Sequence, residues 1–103
     1  MKHEKLIFEM ASGWDFKNTS SKAENVIMRD YFVQIMRPKY PEKEIAKSLG
    51  KGQTFVTDSV NRFWKHYDVE KGYKERFNEI SRRFNVIRNR CTCGRVENDN
   101  LRT

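Results

Sequence analysis

The chain carries only two cysteines among its 103 residues, Cys91 and Cys93, separated by one threonine near the end. Cysteines so spaced make a poor structural disulfide, and a secreted scaffold normally carries more of them. No apolar run approaches the roughly 18 residues of a membrane span. The segment Met1 to Met10 is charged and lacks the long apolar region of a secretory signal. These absences predict a soluble cytoplasmic protein without membrane contact.

Reactive constellations are also scarce. Cys91, Cys93, His3 and His66 are the obvious zinc ligands, but structural zinc usually takes four ligands in recognisable pairs. No metal is expected. Asp58 and His66 lie eight residues apart, about 80° around an ideal helix, so they form no tight acid–base dyad. The run Gly50-Lys51-Gly52-Gln53-Thr54 lacks the spacing of a phosphate loop and a preceding strand. Neither an enzyme nor a cofactor is therefore expected.

What is present suffices for one small core. Apolar residues make up 37% and aromatics 13%, and the length fits a single domain. The formal net charge is +7 and the isoelectric point about 9.6, the footprint of a nucleic-acid binder. Many basic proteins bind no nucleic acid, so charge alone leaves both readings open.

Periodicity predicts an all-α bundle of four to five helices. Lys5 to Ala11 reads as a short helix with Leu6, Ile7 and Met10 on one side, or as a strand, since periodicity does not decide for so short a run, and Gly13 breaks it. Trp14 and Phe16 then sit in a loop against the core. Asn18 to Ser21 is a polar turn and helix N-cap. Ser21 to Arg37 is a helix whose broad apolar face holds Val26, Ile27, Tyr31, Val33, Ile35 and Met36. Arg37-Pro38 ends it, because a residue before proline avoids the α region. Pro41 opens a second, shorter helix with Glu42 and Glu44 at its positive end. Ile45, Ala46 and Leu49 form its stripe and Gly50 closes it. A helix from Gln53 or Thr54 carries Val56, Val60, Phe63 and Tyr67. Asp68 caps a last helix, in which Tyr73, Phe77, Ile80, Phe84 and Ile87 repeat. That helix is expected to fray over residues 86–90. Residues 1–90 form one domain, and residues 91–103, with few large apolar side chains, read as a disordered tail.

The informative segment runs from Tyr40 to Val60. A short helix with small Ala46 in mid-stripe, a glycine turn and a longer helix is the helix-turn-helix plan. It would project the start of the second helix towards a DNA major groove. Gln53, Thr54 and Thr57 are the candidate base readers, since glutamine can pair with adenine and threonine can contact base or phosphate. Arg29, Lys47, Lys51, Arg62 and Lys65 are the candidates for backbone or minor-groove contacts. The basic run Arg82, Arg83, Arg88, Arg90 and Arg95 is either a solvated helix end or a second phosphate contact.

Gly50 to Val56, G-K-G-Q-T-F-V, resembles the G-R-D-H-T-T-V signature in the C-terminal DNA-binding domain of the bacterial replication initiator DnaA. That family's fold is a Trp-repressor-like helix-turn-helix. Glu44 to Leu49, E-I-A-K-S-L, is similar to the family's E-I-G-x-x-F. Val26 to Met36 lies where the family has an arginine-containing amphipathic helix. By this resemblance Arg29 reaches the minor groove, Gln53 and Thr54 contact bases, and Lys51 lies at the DNA edge. Gly52, Gln53 and Phe55 depart from the family's aspartate, histidine and threonine at specificity positions. The resemblance implies a double-stranded DNA-binding regulator of transcription or replication that lacks an ATPase module. The alternative is a helical interaction module that binds another protein, or a second copy of itself, without DNA; an exposed apolar surface of Tyr73, Phe77 and Phe84 would favour it.

Overall fold

A computed structural model describes residues 1–18, 20 and 22–93, with nothing said of the side chains of residues 91–93. Five helices follow one another: α1 (Lys2–Ser12), α2 (Ala23–Met36), α3 (Glu42–Ser48), α4 (Gln53–Tyr67) and α5 (Tyr73–Cys93). The described residues contain no strand, so the expected all-α bundle is the observed fold.

α2 is the central element. Met28, Tyr31, Phe32, Val33, Ile35 and Met36 are all buried, covering most of its circumference. A helix apolar nearly all round must be enclosed by others. α2 packs on α4, α4 also receives α3, and α1 lies along α5. Two aromatic clusters join these layers. Phe8, Trp14, Phe16 and Phe32 meet at one end, with Phe16 and Phe32 centroids 4.9 Å apart. Tyr31, Phe63, Tyr73 and Phe77 meet at the other, with Phe63 and Phe77 at 4.8 Å. Such edge-on contacts suit the charge distribution of aromatic rings. Trp14 is fixed from its loop by donating Nε1–H to Asn25 Oδ1 at 2.8 Å.

Several sequence expectations shift. α1 buries Ile7, Phe8 and Ala11, while Leu6 and Met10 face outward. Phe8 decides the rotation, because its ring completes the Trp14–Phe16–Phe32 cluster. α2 begins at Ala23, with Lys22 rather than the preceding polar cluster at the cap. Ser20 instead accepts a hydrogen bond from Asn25 Nδ2, and Thr19 and Ser21 lie outside the described residues. α2 does end before Pro38, yet Arg37 keeps α dihedrals; the chain turns over Lys39 and Tyr40, whose N–H groups both donate to Met36 O. Pro41 is the cap of α3 itself, one place before its first turn. Asp68 closes α4 instead of opening α5. α5 runs beyond the expected fraying to Cys93, since no glycine or proline interrupts the sequence from Tyr73 to that point. The remainder of the expected tail, residues 94–103, lies outside the described residues.

Candidate nucleic-acid interface

Ile45 and Ala46 bury α3 against the body, and the chain then reverses through Leu49, Gly50 and Lys51. Lys51 N–H donates to Ala46 O at 2.9 Å and Gly50 N–H to Lys47 O at 3.1 Å. This pair of bonds is the Schellman closure, which needs a left-handed residue. Gly50 supplies it with φ 67°. Gly52 then caps α4 without any side-chain bond. The first-turn N–H groups of α4 are therefore not masked by a capping side chain, and helix starts of this kind attract anions.

α4 divides cleanly by face. Val56, Ser59 and Phe63 are buried, with Val60 and Tyr67 packed partly beside them. Gln53, Thr54, Thr57, Asp58, Asn61 and Lys65 are exposed on the opposite side. The three expected base readers thus share one solvent-facing stripe with its hydrogen-bonding groups outward. Asn61 belongs to the same stripe and was not singled out from sequence; its spacing of four from Thr57 is the signal that identifies it. Asp58 is the one carboxylate on this stripe, and next to DNA it would accept from cytosine or repel phosphate. Phe55 is partly buried against the core, with Lys51 Nζ over its ring at 5.6 Å. An aromatic ring so placed serves packing, not base reading.

The expected backbone cations divide into two groups. Lys47, Lys51 and Lys65 are exposed and, among the described residues, pair with no carboxylate. Arg62, expected at the DNA backbone, instead turns inward. Its Nε and Nη2 donate to the two oxygens of Asp30 at 2.8 and 2.7 Å. Asp30 is 2% exposed and also accepts from Ser59 Oγ at 2.6 Å. A buried carboxylate needs such partners, and the bidentate fork supplies direction as well as charge. The Asp30 hydrogen bonds raise the Arg62 guanidinium above its ordinary value. Arg62 thereby locks the outer helix α4 to the central helix α2. Arg29 is also restrained: Nη1 and Nη2 donate to the carbonyls of Asn18 and Ser20 at 3.0 and 2.9 Å.

Other candidates are not assembled into a site. His66 Nδ1 pairs with Glu70, one turn further along the chain, at 2.7 Å, and not with Asp58. Trp64 is half exposed and meets the Phe63 ring edge-on at 5.1 Å. Arg82 and Arg83 both bind Glu79, and Arg95 lies outside the described residues. Among the described residues no three of His, Cys, Asp and Glu gather as metal ligands would. No described helix is long and apolar enough to cross a membrane. Set against protein-family models, characterised proteins and solved structures, the chain shows no significant match.

Proposed function

We propose that this protein binds double-stranded DNA through α3, the Gly50 turn and α4, used as a helix-turn-helix. The observation that carries the reading is the outer stripe of α4. Gln53, Thr54, Thr57 and Asn61 stand in line, exposed, behind a left-handed turn flanked by Lys47 and Lys51. In this reading the start of α4 enters the major groove, where Gln53 and Asn61 have the amide geometry to pair with adenine. Lys47, Lys51 and Lys65 neutralise backbone phosphates and release counterions. Asp30 and Arg62 do not touch DNA; they set the pose of α4. The resemblance of G-K-G-Q-T-F-V to the replication-initiator signature supports the same mode, with altered base preference at Gly52, Gln53 and Phe55. The protein then acts in the cytoplasm as a regulator of transcription or replication, by binding and without chemistry of its own.

One observation favours a protein partner instead. Leu6 and Met10, four residues apart, expose an apolar pair on the outside of α1. Tyr73, Phe77 and Phe84 offer no such surface, because Tyr73 and Phe84 are buried and Phe77 is partly buried. Selection of bound sequences from random duplex DNA decides between the readings. Enrichment of a motif is expected; no retained duplex at low salt with folded protein refutes the DNA reading.

A further inference from the structure

Lys5 from α1, Arg29 from α2 and Lys51 from the α3–α4 turn converge on one depression of about 160 Å³, completed by Phe16, Leu49 and Gly50. A water's share of the liquid is about 30 Å³, so the space holds about five waters or one phosphate group. Three cations from distant parts of the chain meet there, and among the described residues no carboxylate lines the walls. Glu9 accepts the N–H of Phe16 and Asp15 that of Lys17, and neither acid is among the lining residues. Like charges gathered without a counter-charge repel one another, and an anion in their midst reverses the sign of that energy.

The pocket is also preorganised. Two carbonyls hold the Arg29 guanidinium in place. Its third donor, Nε, is buried without a hydrogen-bond partner among the described residues. A buried donor left unmet is costly, and a slight turn of the guanidinium towards an oxyanion in the depression would relieve it. Lys5 lies over the ring of Phe16, another lining residue, with Nζ 5.4 Å from its centre, a contact that favours keeping the ammonium beside the pocket. Gly50 adds bare backbone to the lining.

We propose that the pocket walled by Lys5, Arg29 and Lys51 seats one phosphate group. Resting on the DNA reading above, that group is a backbone phosphate beside the Gly50 turn. Arg29 is then a wall of a phosphate seat, not a finger inserted into the minor groove. Lys5, far away in sequence, joins the interface.

The test has two arms. In the first, inorganic phosphate is titrated while the Arg29 Nε–H resonance and the Gly50 and Lys51 amides are followed by NMR. A saturable shift is expected that Lys5→Gln abolishes and Lys5→Arg restores, with equal melting temperatures. In the second, duplex binding is measured. Lys5→Gln should weaken it roughly three- to tenfold on every sequence and lower the salt slope by about one. That penalty should vanish on a duplex carrying a methylphosphonate at the seated position. Lys51→Gln, in an exposed turn, gives the same readouts should Lys5→Gln fail to fold. A phosphate shift without duplex binding upholds the pocket for a small phosphorylated molecule and removes the DNA reading. Duplex binding indifferent to Lys5→Gln, with no phosphate shift at Arg29, overturns the pocket and leaves the DNA reading intact. Shifts of equal size in wild type and Lys5→Gln also overturn it.

Discussion

The body of the bundle and its α3–α4 end treat cations differently. Arg62 and Arg76 join α2 to α4 and α5 through Asp30 and Glu24, and Arg82 and Arg83 share Glu79 along α5. Lys5, Lys47, Lys51 and Lys65 have no carboxylate partner among the described residues. The arginine charges of the body therefore do structural work, whereas these four lysine charges are left available; Arg37, paired with Glu42 at the start of α3, follows the arginine pattern. The arginine fork suits fixed bidentate pairing, whereas lysine is a mobile point charge suited to solvent or phosphate. The comparison predicts that removing a body arginine or its partner changes stability, while removing an end lysine changes binding.

The strongest expected effect lies in the body. Asp30→Ala leaves Arg62 and buried Ser59 without their acceptor and should cost about 2–4 kcal/mol, seen as a lowered denaturation midpoint. Arg62→Lys should not rescue stability as well as wild type, because an ammonium cannot reproduce the fork. A loss below about 0.5 kcal/mol would break the comparison at its firmest point.

At the other end, Gln53→Ala should alter base preference by about 1–3 kcal/mol at one base pair while leaving the melting temperature unchanged. Competition binding across single-base variants measures this. A uniform loss on all sequences would place base reading elsewhere on the stripe, and Asn61→Ala would be the next variant to test.

Tyr31 tests the aromatic interior. Its hydroxyl donates to Tyr73 O at 2.9 Å, so Tyr31→Phe should cost about 0.5–1.5 kcal/mol. Burial pushes the Tyr31 phenol up from 10.0 to about 12. Folding thus favours its protonated form: this stability is fully present below pH 10 and is lost as pH rises towards about 12. Denaturant midpoints across that window should fall less steeply in Tyr31→Phe than in wild type. Parallel falls would assign the alkaline loss to other groups; Tyr73, also raised by burial, would then be examined.

The smallest effect is expected at Arg76→Ala. Its pair with Glu24 is largely exposed, so the cost should stay under about 1 kcal/mol and shrink in salt. A larger loss would mean that the pair helps hold α5 to α2.

Local rules made much of the architecture legible. The Phe63–Tyr67 and Tyr73–Ile87 spacings marked α4 and α5, and Gly50 marked the turn, because helical period and left-handed φ are properties of short segments. Face choice in α1 was not legible: Leu6, Ile7, Met10 and Phe8 offer two plausible stripes, and a distant ring, Phe32, selects between them. The role of Arg62 was hidden for the same reason. Its partner Asp30 is 32 residues away and looks from sequence like a surface acid on a helix. Of the site, the stripe Gln53, Thr54 and Thr57 followed from the turn, while Lys5 entered the picture only through the packing of α1.

Salt dependence of duplex affinity tests the division most directly. Between about 50 and about 200 mM salt, the logarithm of affinity should fall with a slope of about three or more, one unit for each end lysine at a phosphate. Lys51→Ala should reduce the slope by about one, and Arg76→Ala should leave it unchanged. Folded protein that binds no duplex at low salt, or a slope that falls for Arg76→Ala and not for Lys51→Ala, would contradict the account.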